Sequence, residues 1–265
     1  MRQGQSIATI DKERCLGAAF TVNTKIIGAK FGDSGYTYWH LDTNAGSGWN
    51  ADVKVDGSPV VAQLAADRHL RGMRREMFFC DINTDALDAL KHRMNSEPEW
   101  DKCSHFISGD NENAVQLFSK RLRRSQERAA YMVGMVVIDP NGYWYRNKDG
   151  CGAPINSILT FVREFPRIDI VININTRTYR LMHSHERWRS IPSPMEVLQS
   201  LNKAYWLVRR TQHGTDEFLL AVGRNKSTGD HRALGFHKLE SDEGRHIMTM
   251  VTGGRQRQLP LEMAL

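Results

Sequence analysis

Four aspartates end or directly follow apolar runs of the chain. They are Asp42, Asp81, Asp110 and Asp139, in the segments YTYWHLD, EMFFCD, HFISGD and VVIDP. A carboxylate accepts hydrogen bonds from hydroxyl and amino groups, so acids gathered in one place can bind a ligand rich in such donors. One such acid is unremarkable, because aspartate also favours the turns that end strands. Four of them at consecutive runs favour a binding site.

The chain after Asp42 continues TNAGSG, which places Asn44, Gly46 and Gly48 directly behind the first acid. Glycines allow a backbone to pass close to a bound ligand. The dinucleotide fingerprint G-x-G-x-x-G is not met, since no glycine stands three residues after Gly48, and there is no G-K-[ST] phosphate loop. The G-x-G alone is therefore weak evidence, which an acid at the end of the next strand strengthens.

The elements that must position these residues alternate along the chain. The sequence predicts strands at 36–42, 76–81, 105–110, 131–139 and 168–175. It predicts helices at about 58–70, 84–94, 113–124, 153–164 and 193–201, the first of them opened by Ser58 as N-cap and Pro59 in the first turn. Two further β-rich runs, 204–212 and 217–225, are joined by only four residues, as antiparallel strands are.

This pattern predicts an α/β fold with a doubly wound, mainly parallel seven-stranded sheet that ends in an antiparallel hairpin. We expect a single domain over 1–265, with its core at about 36–225 and an irregular C-terminal appendage at 226–265. Open α/β sheets bind ligands outside the carboxyl ends of their strands. The four acids should therefore lie along one edge of the sheet. At that edge Asp81 could accept hydrogen bonds from both hydroxyls of a ribose.

Composition excludes several classes of protein. A hydrophobic fraction of 40% over 265 residues is too high for a disordered chain. No apolar stretch approaches the roughly 18 residues that span a bilayer, so we expect a soluble cytoplasmic protein. The four cysteines form no C-x-x-C pair, and H-S-H-E at 183–186 lacks the spacing of H-E-x-x-H, so no metal is expected. A G-x-S-x-G nucleophile elbow is also absent from the sequence.

Basic residues outnumber acidic ones by 36 to 30, which favours a polyanionic partner. The segment 177–189, RTYRLMHSHERWR, mixes cations with aromatic rings, a combination that can hold phosphates and stack on bases. Its candidate nucleic-acid contacts are Arg177, Arg180, Arg187 and Arg189, and its aromatic residues are Tyr179 and Trp188. The alternative interpretation is that these charged residues only form a solvent-exposed surface and bind no nucleic acid.

The order of these features resembles the class I S-adenosylmethionine-dependent methyltransferases. The likeness lies in D-x-x-x-G-x-G, an acid after strand two, G-D after strand three, an apolar run with D-P after strand four, and the terminal hairpin, over about 36–225. It implies S-adenosylmethionine as cofactor, held at Asp42, Asn44, Gly46, Gly48, Asp81 and Asp110. By this resemblance the glycine loop cradles the methionine part, Asp81 the ribose, and Asp110 the adenine amino group.

A narrower similarity is to phage-type adenine methyltransferases and, equally, to the three-Cys-motif partner proteins of mobile elements. It lies in the segments DTNAGSG, GSPVVAQLA, CDINTDALDALKHRM, VVIDPNGYW and IVININ. Methyltransferases of exocyclic amines carry [D/N/S]-P-P-[Y/F/W] after strand four. The acid and the proline carbonyl accept hydrogen bonds from the amine, and the aromatic ring stacks on the flipped base. Asp139 and Pro140 match this pattern, whereas Asn141-Gly142 departs from it and is also a strong turn dipeptide.

The resemblance thus implies that Asp139, Pro140 and either Tyr143 or Trp144 form the catalytic set. We expect methylation of adenine N6 in DNA, with DNA favoured over RNA. Sequence specificity should be low, since the excursions outside the sheet are too short to bury a core of their own. An RNA or protein methyltransferase on the same fold, and a non-catalytic partner protein of a mobile element, are the open alternatives.

Overall fold

The computed structural model describes residues 7–125, 131–139, 155–184, 192–213, 216–226 and 231–252. Within these ranges the strands are β1 (Thr37–Asp42), β2 (Trp49–Asn50), β3 (Val55–Asp56), β4 (Arg74–Asp81), β5 (Ser104–Ser108), β6 (Val133–Ile138), β7 (Ile168–Asn175), β8 (Tyr205–His213), β9 (Asp216–Arg224) and β10 (His237–Lys238). The helices are α1 (Ile7–Phe31), α2 (Ser58–His69), α3 (Thr84–Asn95), α4 (Pro98–Asp101), α5 (Asn111–Arg124), α6 (Ile155–Glu164), α7 (Thr176–Ser184), α8 (Pro194–Ser200) and α9 (Asp242–Val251).

One eight-stranded sheet runs in the order β10-β8-β9-β7-β6-β1-β4-β5. The strands from β7 to β5 are parallel to one another. The strands β9, β8 and β10 each pair antiparallel to their neighbours. The predicted α/β fold, with its mainly parallel sheet and antiparallel terminal hairpin, is therefore confirmed, and β10 adds one short strand at the edge.

The direction of the chain across the sheet changes between β1 and β6. From β1 the chain moves outward through β4 and β5, and it then returns to the other side of β1 for β6 and β7. At such a switch point the connections leave in opposite directions and open a crevice at the carboxyl ends of the strands.

Helices cover both faces of the sheet. One face packs Trp39, Leu41 and Phe118 in a cluster with residues of α5, α6, α8 and α9, and the other packs Tyr38 and Phe79 with residues of α1, α2 and α3. Every residue of β1 and β6 is buried, as a parallel strand between two helical layers must be. The central strands are therefore rigid supports for whatever lies at their ends.

Helix α1 is the largest element that sequence analysis did not predict. It has 25 residues and packs closely on α2, where a Cβ at Gly28 would lie 1.9 Å from the carbonyl oxygen of His69. Near the amino ends of the parallel strands, Asn23 accepts from the Tyr38 hydroxyl at 3.1 Å and donates to Asp169 at 2.7 Å. These contacts fix α1 against two strands of the sheet, β1 and β7.

Two other predictions of local structure were wrong. Ser58 is the first residue of α2 rather than its N-cap, which is Gly57. The tail predicted as irregular contains a 3-10 helix at Arg232–Leu234, the strand β10, and α9, which buries Ile247, Met248 and Val251. Apolar residues at helical spacing explain why α9 docks on the sheet. In the described ranges, no helix is long and apolar enough to cross a membrane.

Candidate functional site

The four predicted acids stand side by side at one edge of the sheet. Asp139 follows β6, Asp42 ends β1, Asp81 ends β4 and Asp110 follows β5, and these four strands are neighbours in that order. We call this row of four aspartates the acid rim. It crosses the switch point between β6 and β1, so the prediction that the acids share one edge is confirmed.

Asp42 is the fully buried member of the acid rim. Its Oδ1 accepts the main-chain N–H of Asn44 at 3.1 Å, and its Oδ2 accepts the Ser58 hydroxyl at 2.6 Å. Burial raises the pKa of Asp42 to about 6, although these two hydrogen bonds act to lower it. Asp42 therefore fastens the glycine loop and the first turn of α2 to the end of β1.

The loop 43–48 is folded around Asp81. The N–H of Gly46 donates to Asp81 Oδ2 at 2.8 Å, and the N–H of Asn83 donates to Oδ1 at 2.8 Å. Gly46 has φ +59°, and a Cβ built there would have no atom within 4 Å. The loop consequently presents bare backbone to open space beside a carboxylate, which is the arrangement that a closely bound ligand needs.

Gly48 has a different role, because it is enclosed. Its φ is +71°, and a Cβ there would lie 2.6 Å from Cδ1 of Leu90. Its carbonyl accepts from Arg93 at 2.9 Å, and the Arg93 guanidinium also stacks over Trp49, 5.5 Å from the ring centroid. Packing, rather than contact with a ligand, requires glycine at this position, where the loop joins the β2–β3 hairpin.

The outer end of the rim is tied to α5. Asp110 is the N-cap of that helix, and its Oδ1 accepts the N–H of Asn113 at 2.8 Å. The N–H of Gly109 donates to the carbonyl of Asp81 at 3.1 Å, which links the two loops. A contact between Asp110 and an adenine amino group would have to share this carboxylate with the helix cap.

Asn44 bridges the switch point. When its amide is oriented to donate, the nitrogen lies 3.1 Å from the main-chain carbonyl of Asp139 and 3.1 Å from Oδ1 of Asn111. The N–H of Thr43 also donates to the carbonyl of Val137 at 3.1 Å. The loop after β1 is therefore held against the end of β6 and Asp139, so that a ligand bound at one would lie beside a ligand bound at the other.

Asp139 is held from two sides. Lys12 Nζ, on α1, donates to Oδ2 at 2.8 Å, and Asn173 Nδ2, on β7, donates to Oδ1 at 2.7 Å. Burial acts to lower the pKa of Lys12, but the carboxylates of Asp139 and Glu13 outweigh it and hold that pKa above its usual value. The predicted acceptor is thus held in a salt bridge with a half-buried lysine.

Glu13 brings a second carboxylate to this ammonium group. Its Oε1 lies 3.6 Å from Lys12 Nζ, and its buried Oε2 has no hydrogen-bond partner among the described residues. The pKa of Glu13 is raised to about 7, chiefly by burial, while Lys12 acts to lower it and Asp139 and Asp42 act to raise it. When all are ionised, Glu13, Asp42 and Asp139 surround Lys12 with an excess of negative charge.

The predicted nucleic-acid segment is only partly described. Arg177 is exposed on α7, whereas Arg180 forms an ion pair with the buried Glu217, which also contacts Arg210. Tyr179 is 2% exposed and belongs to the core, so the expectation that it could stack on a base was wrong. Six predicted functional residues lie outside the described part of the chain: Pro140, Tyr143, Trp144, Arg187, Trp188 and Arg189.

Sequence reasoning missed several residues of the site, among them Lys12, Glu13, Asn173 and Ser58. Asn173 carried a signal, since it is a polar residue in the apolar strand IVININ. Ile82 was missed as well: it is 70% exposed in the structure, and its signal was an apolar residue directly after the strand-ending Asp81. Lys12 carried none, since 127 residues separate it from Asp139. Within the described ranges, no group of three or more His, Cys, Asp or Glu side chains could hold a metal.

No family model and no curated protein matches the chain. Among solved structures, it is similar to protein LPL1258 from Legionella pneumophila str. Philadelphia 1, described with the family model DUF519, at TM-score 0.52 and 11% identity over 91% of this chain and 93% of that one. It is also similar to WbdD, at TM-score 0.50 and 10% identity over 79% of this chain, and it spans 39% of WbdD. The METTL16 MTase domain is matched at TM-score 0.41 and 10% identity, over 80% and 83% of the two chains. At these identities the likenesses to LPL1258 and WbdD show the fold alone.

Proposed function

We propose that this protein is an S-adenosylmethionine-dependent methyltransferase that modifies the N6 amine of adenine in DNA with low sequence specificity. The observation that carries the proposal is the acid rim, in which Asp139 stands next to Asp42 and the open glycine loop at the switch point. A methyl donor on the loop and an acceptor at Asp139 would meet there. The fold agrees with this chemistry.

The cofactor would supply an electrophilic methyl group carried on a sulfonium sulfur. The open space beside Gly46 supports its fit, since a Cβ there would meet no atom within 4 Å. Asp81 would accept hydrogen bonds from the ribose hydroxyls with lone pairs not used by Gly46 and Asn83. Ile82, exposed beside it, would pack on the adenine ring, and Asp110 would accept from the adenine amino group. Asp42, Asn44 and Gly48 would hold the loop in shape.

The residues of this chain would act on the acceptor by binding and orientation. Asp139 would accept a hydrogen bond from the target amine, with the carbonyl of Pro140 as second acceptor, and so aim the nitrogen lone pair at the methyl group. Tyr143 or Trp144 would stack on the base once it has left the duplex. Exposed arginines such as Arg177 would contact the phosphates, which position a strand without reading its bases.

One observation favours a second candidate function, a non-catalytic methyltransferase-like partner protein. Both oxygens of Asp139 already accept hydrogen bonds from within the protein, at 2.8 Å from Lys12 and 2.7 Å from Asn173. The departure at Asn141-Gly142 points in the same direction. Such a protein would bind the cofactor but transfer no methyl group.

Incubation with methyl-labelled S-adenosylmethionine and parallel DNA, RNA and protein substrates, followed by nucleoside analysis, tests the proposal. We expect labelled N6-methyladenine from DNA, and none with Asp139→Ala. Label in RNA or protein instead would overturn the DNA assignment. A thermal unfolding midpoint that rises with the cofactor, without any transfer, would favour the second candidate. A midpoint that does not move at millimolar cofactor would eliminate both.

A further inference from the structure

The contact between Lys12 and Asp139 is where the first helix reaches the acid rim. The side chains of Lys12 and Asp139 are 21% and 19% exposed, and their charged atoms lie 2.8 Å apart. Two charges so far removed from water are costly to bury unless they remain paired in good geometry. A pair of this kind, at the residue proposed to accept the substrate, calls for an explanation beyond the stability of the fold.

The ammonium group of Lys12 offsets the negative charge of the carboxylates around it. The charged groups that face Asp139 are Lys12 and Glu13 from α1 and Asp42 from β1, as their mutual effects on pKa indicate. Without Lys12, three carboxylates would face one another with no counter-ion. Like charges at short range favour uptake of a proton. A protonated acid would offer a donor where the target amine needs an acceptor.

Asn173 restricts the same carboxylate from the opposite side. It is 4% exposed, its Nδ2 holds Asp139 Oδ1 at 2.7 Å, and its own Oδ1 has no partner among the residues described. A carboxylate has about four lone-pair positions, so one bond to each oxygen leaves both oxygens able to accept another. The two contacts prevent rotation of the group without saturating it.

We propose that Lys12 and Asn173 are positioning residues that hold Asp139 as a fixed acceptor for the target amine. This inference rests on the proposed function and adds α1 and β7 to the reaction site. It opposes the alternative in which Lys12 blocks Asp139 and keeps the protein inactive. The two differ in the sign of the effect that removing the ammonium would have on methyl transfer.

The test compares single-turnover methyl transfer and cofactor affinity in the full chain. Lys12→Met should reduce the rate of transfer about a hundredfold, as loss of orientation does, while the cofactor Kd stays within about threefold. Lys12→Arg, which keeps the charge, should recover part of the rate. Lys25→Met, at an exposed position of the same helix, is the matched control and should leave the rate unchanged. Unchanged or faster transfer by Lys12→Met would overturn the inference.

A second measurement does not depend on activity or on the fold of Lys12→Met. In protein labelled at the lysine side chains, NMR titration reports the pKa of the Lys12 ammonium. We expect that pKa to fall in Asp139→Asn, because the carboxylate that opposes the effect of burial is gone. If the pKa of Lys12 is the same in wild type and in Asp139→Asn, this inference alone is overturned. A wild-type protein that transfers no methyl group would overturn the proposed function and the positioning role together.

Discussion

Asp81 holds the glycine loop with one carboxylate oxygen and the turn before α3 with the other. We expect Asp81→Ala to weaken S-adenosylmethionine binding roughly ten- to a hundredfold, since a hydrogen bond to a charged group contributes about 1.5–3 kcal/mol. Isothermal titration calorimetry measures the change. Asp88→Ala, at an exposed position of α3, is the control and should bind normally. Equal affinity in a folded Asp81→Ala protein would contradict the role given to this acid.

Glu13 should make stability depend on pH. The rise of its pKa from the usual 4.5 to about 7 means that the folded state disfavours the ionised form. Its contribution is therefore fully present below pH 4.5 and is lost as pH rises through about 7. We expect Glu13→Gln to gain stability over wild type across this window, by up to about 3 kcal/mol at pH 8.

Urea denaturation at several pH values measures that difference. Glu97→Gln, at an exposed position, is the matched control. A pH-independent difference between Glu13→Gln and wild type would show that the buried carboxylate is not destabilising when ionised.

At the scale of elements, the two glycines of loop 43–48 should respond differently to the same change. Gly46→Ala meets no atom, so it should cost only about 1 kcal/mol for its positive φ while occupying the space proposed for the cofactor. Gly48→Ala would also collide with Leu90, and should cost about 2–4 kcal/mol.

Chemical denaturation and calorimetry together separate the two effects. We expect Gly46→Ala to be nearly as stable as wild type yet to bind the cofactor poorly. Normal cofactor affinity in Gly46→Ala would place the cofactor elsewhere, and equal stability of the two variants would contradict the packing described for Gly48.

The strands and the acid rim could be predicted because their signals are local. Apolar runs such as VVI before Asp139 identify a strand and its carboxyl end within a few residues. Helix α1 gave a weaker signal, since small or polar residues such as Ala19, Asn23 and Thr24 fill many of its buried positions. The partners of Lys12 and Asn173 could not be predicted, because only the packing of α1 and β7 against β6 brings them to Asp139.

At the scale of the whole molecule, the excess of basic residues should give salt-dependent binding to DNA. Arg177→Ala should weaken binding to all sequences about equally and reduce the slope of log K against log salt by about one. Arg180→Ala should instead lower stability with less effect on binding, because Arg180 is paired with Glu217. Fluorescence anisotropy over a salt series tests both variants. A loss of affinity confined to one DNA sequence would contradict a phosphate contact.

The small size of the excursions outside the sheet bears on specificity. The β2–β3 hairpin has two residues in each strand, and α7 has nine residues, so neither can form a base-reading domain. We expect methylated adenines in many sequence contexts when long random DNA is modified and sequenced. Methylation confined to one short motif would contradict this expectation.

Helix α1 also shapes how the chain can fold during synthesis. It precedes the whole sheet in the chain, yet Asn23 and Lys12 find partners in Asp169 and Asp139, 146 and 127 residues later. Until the ribosome has released β6 and β7, the part of α1 that contacts these strands stays uncovered. Contacts this distant in sequence slow folding and leave such surfaces exposed to aggregation. The helix that completes the acid rim is therefore a part of the nascent chain that a chaperone would protect.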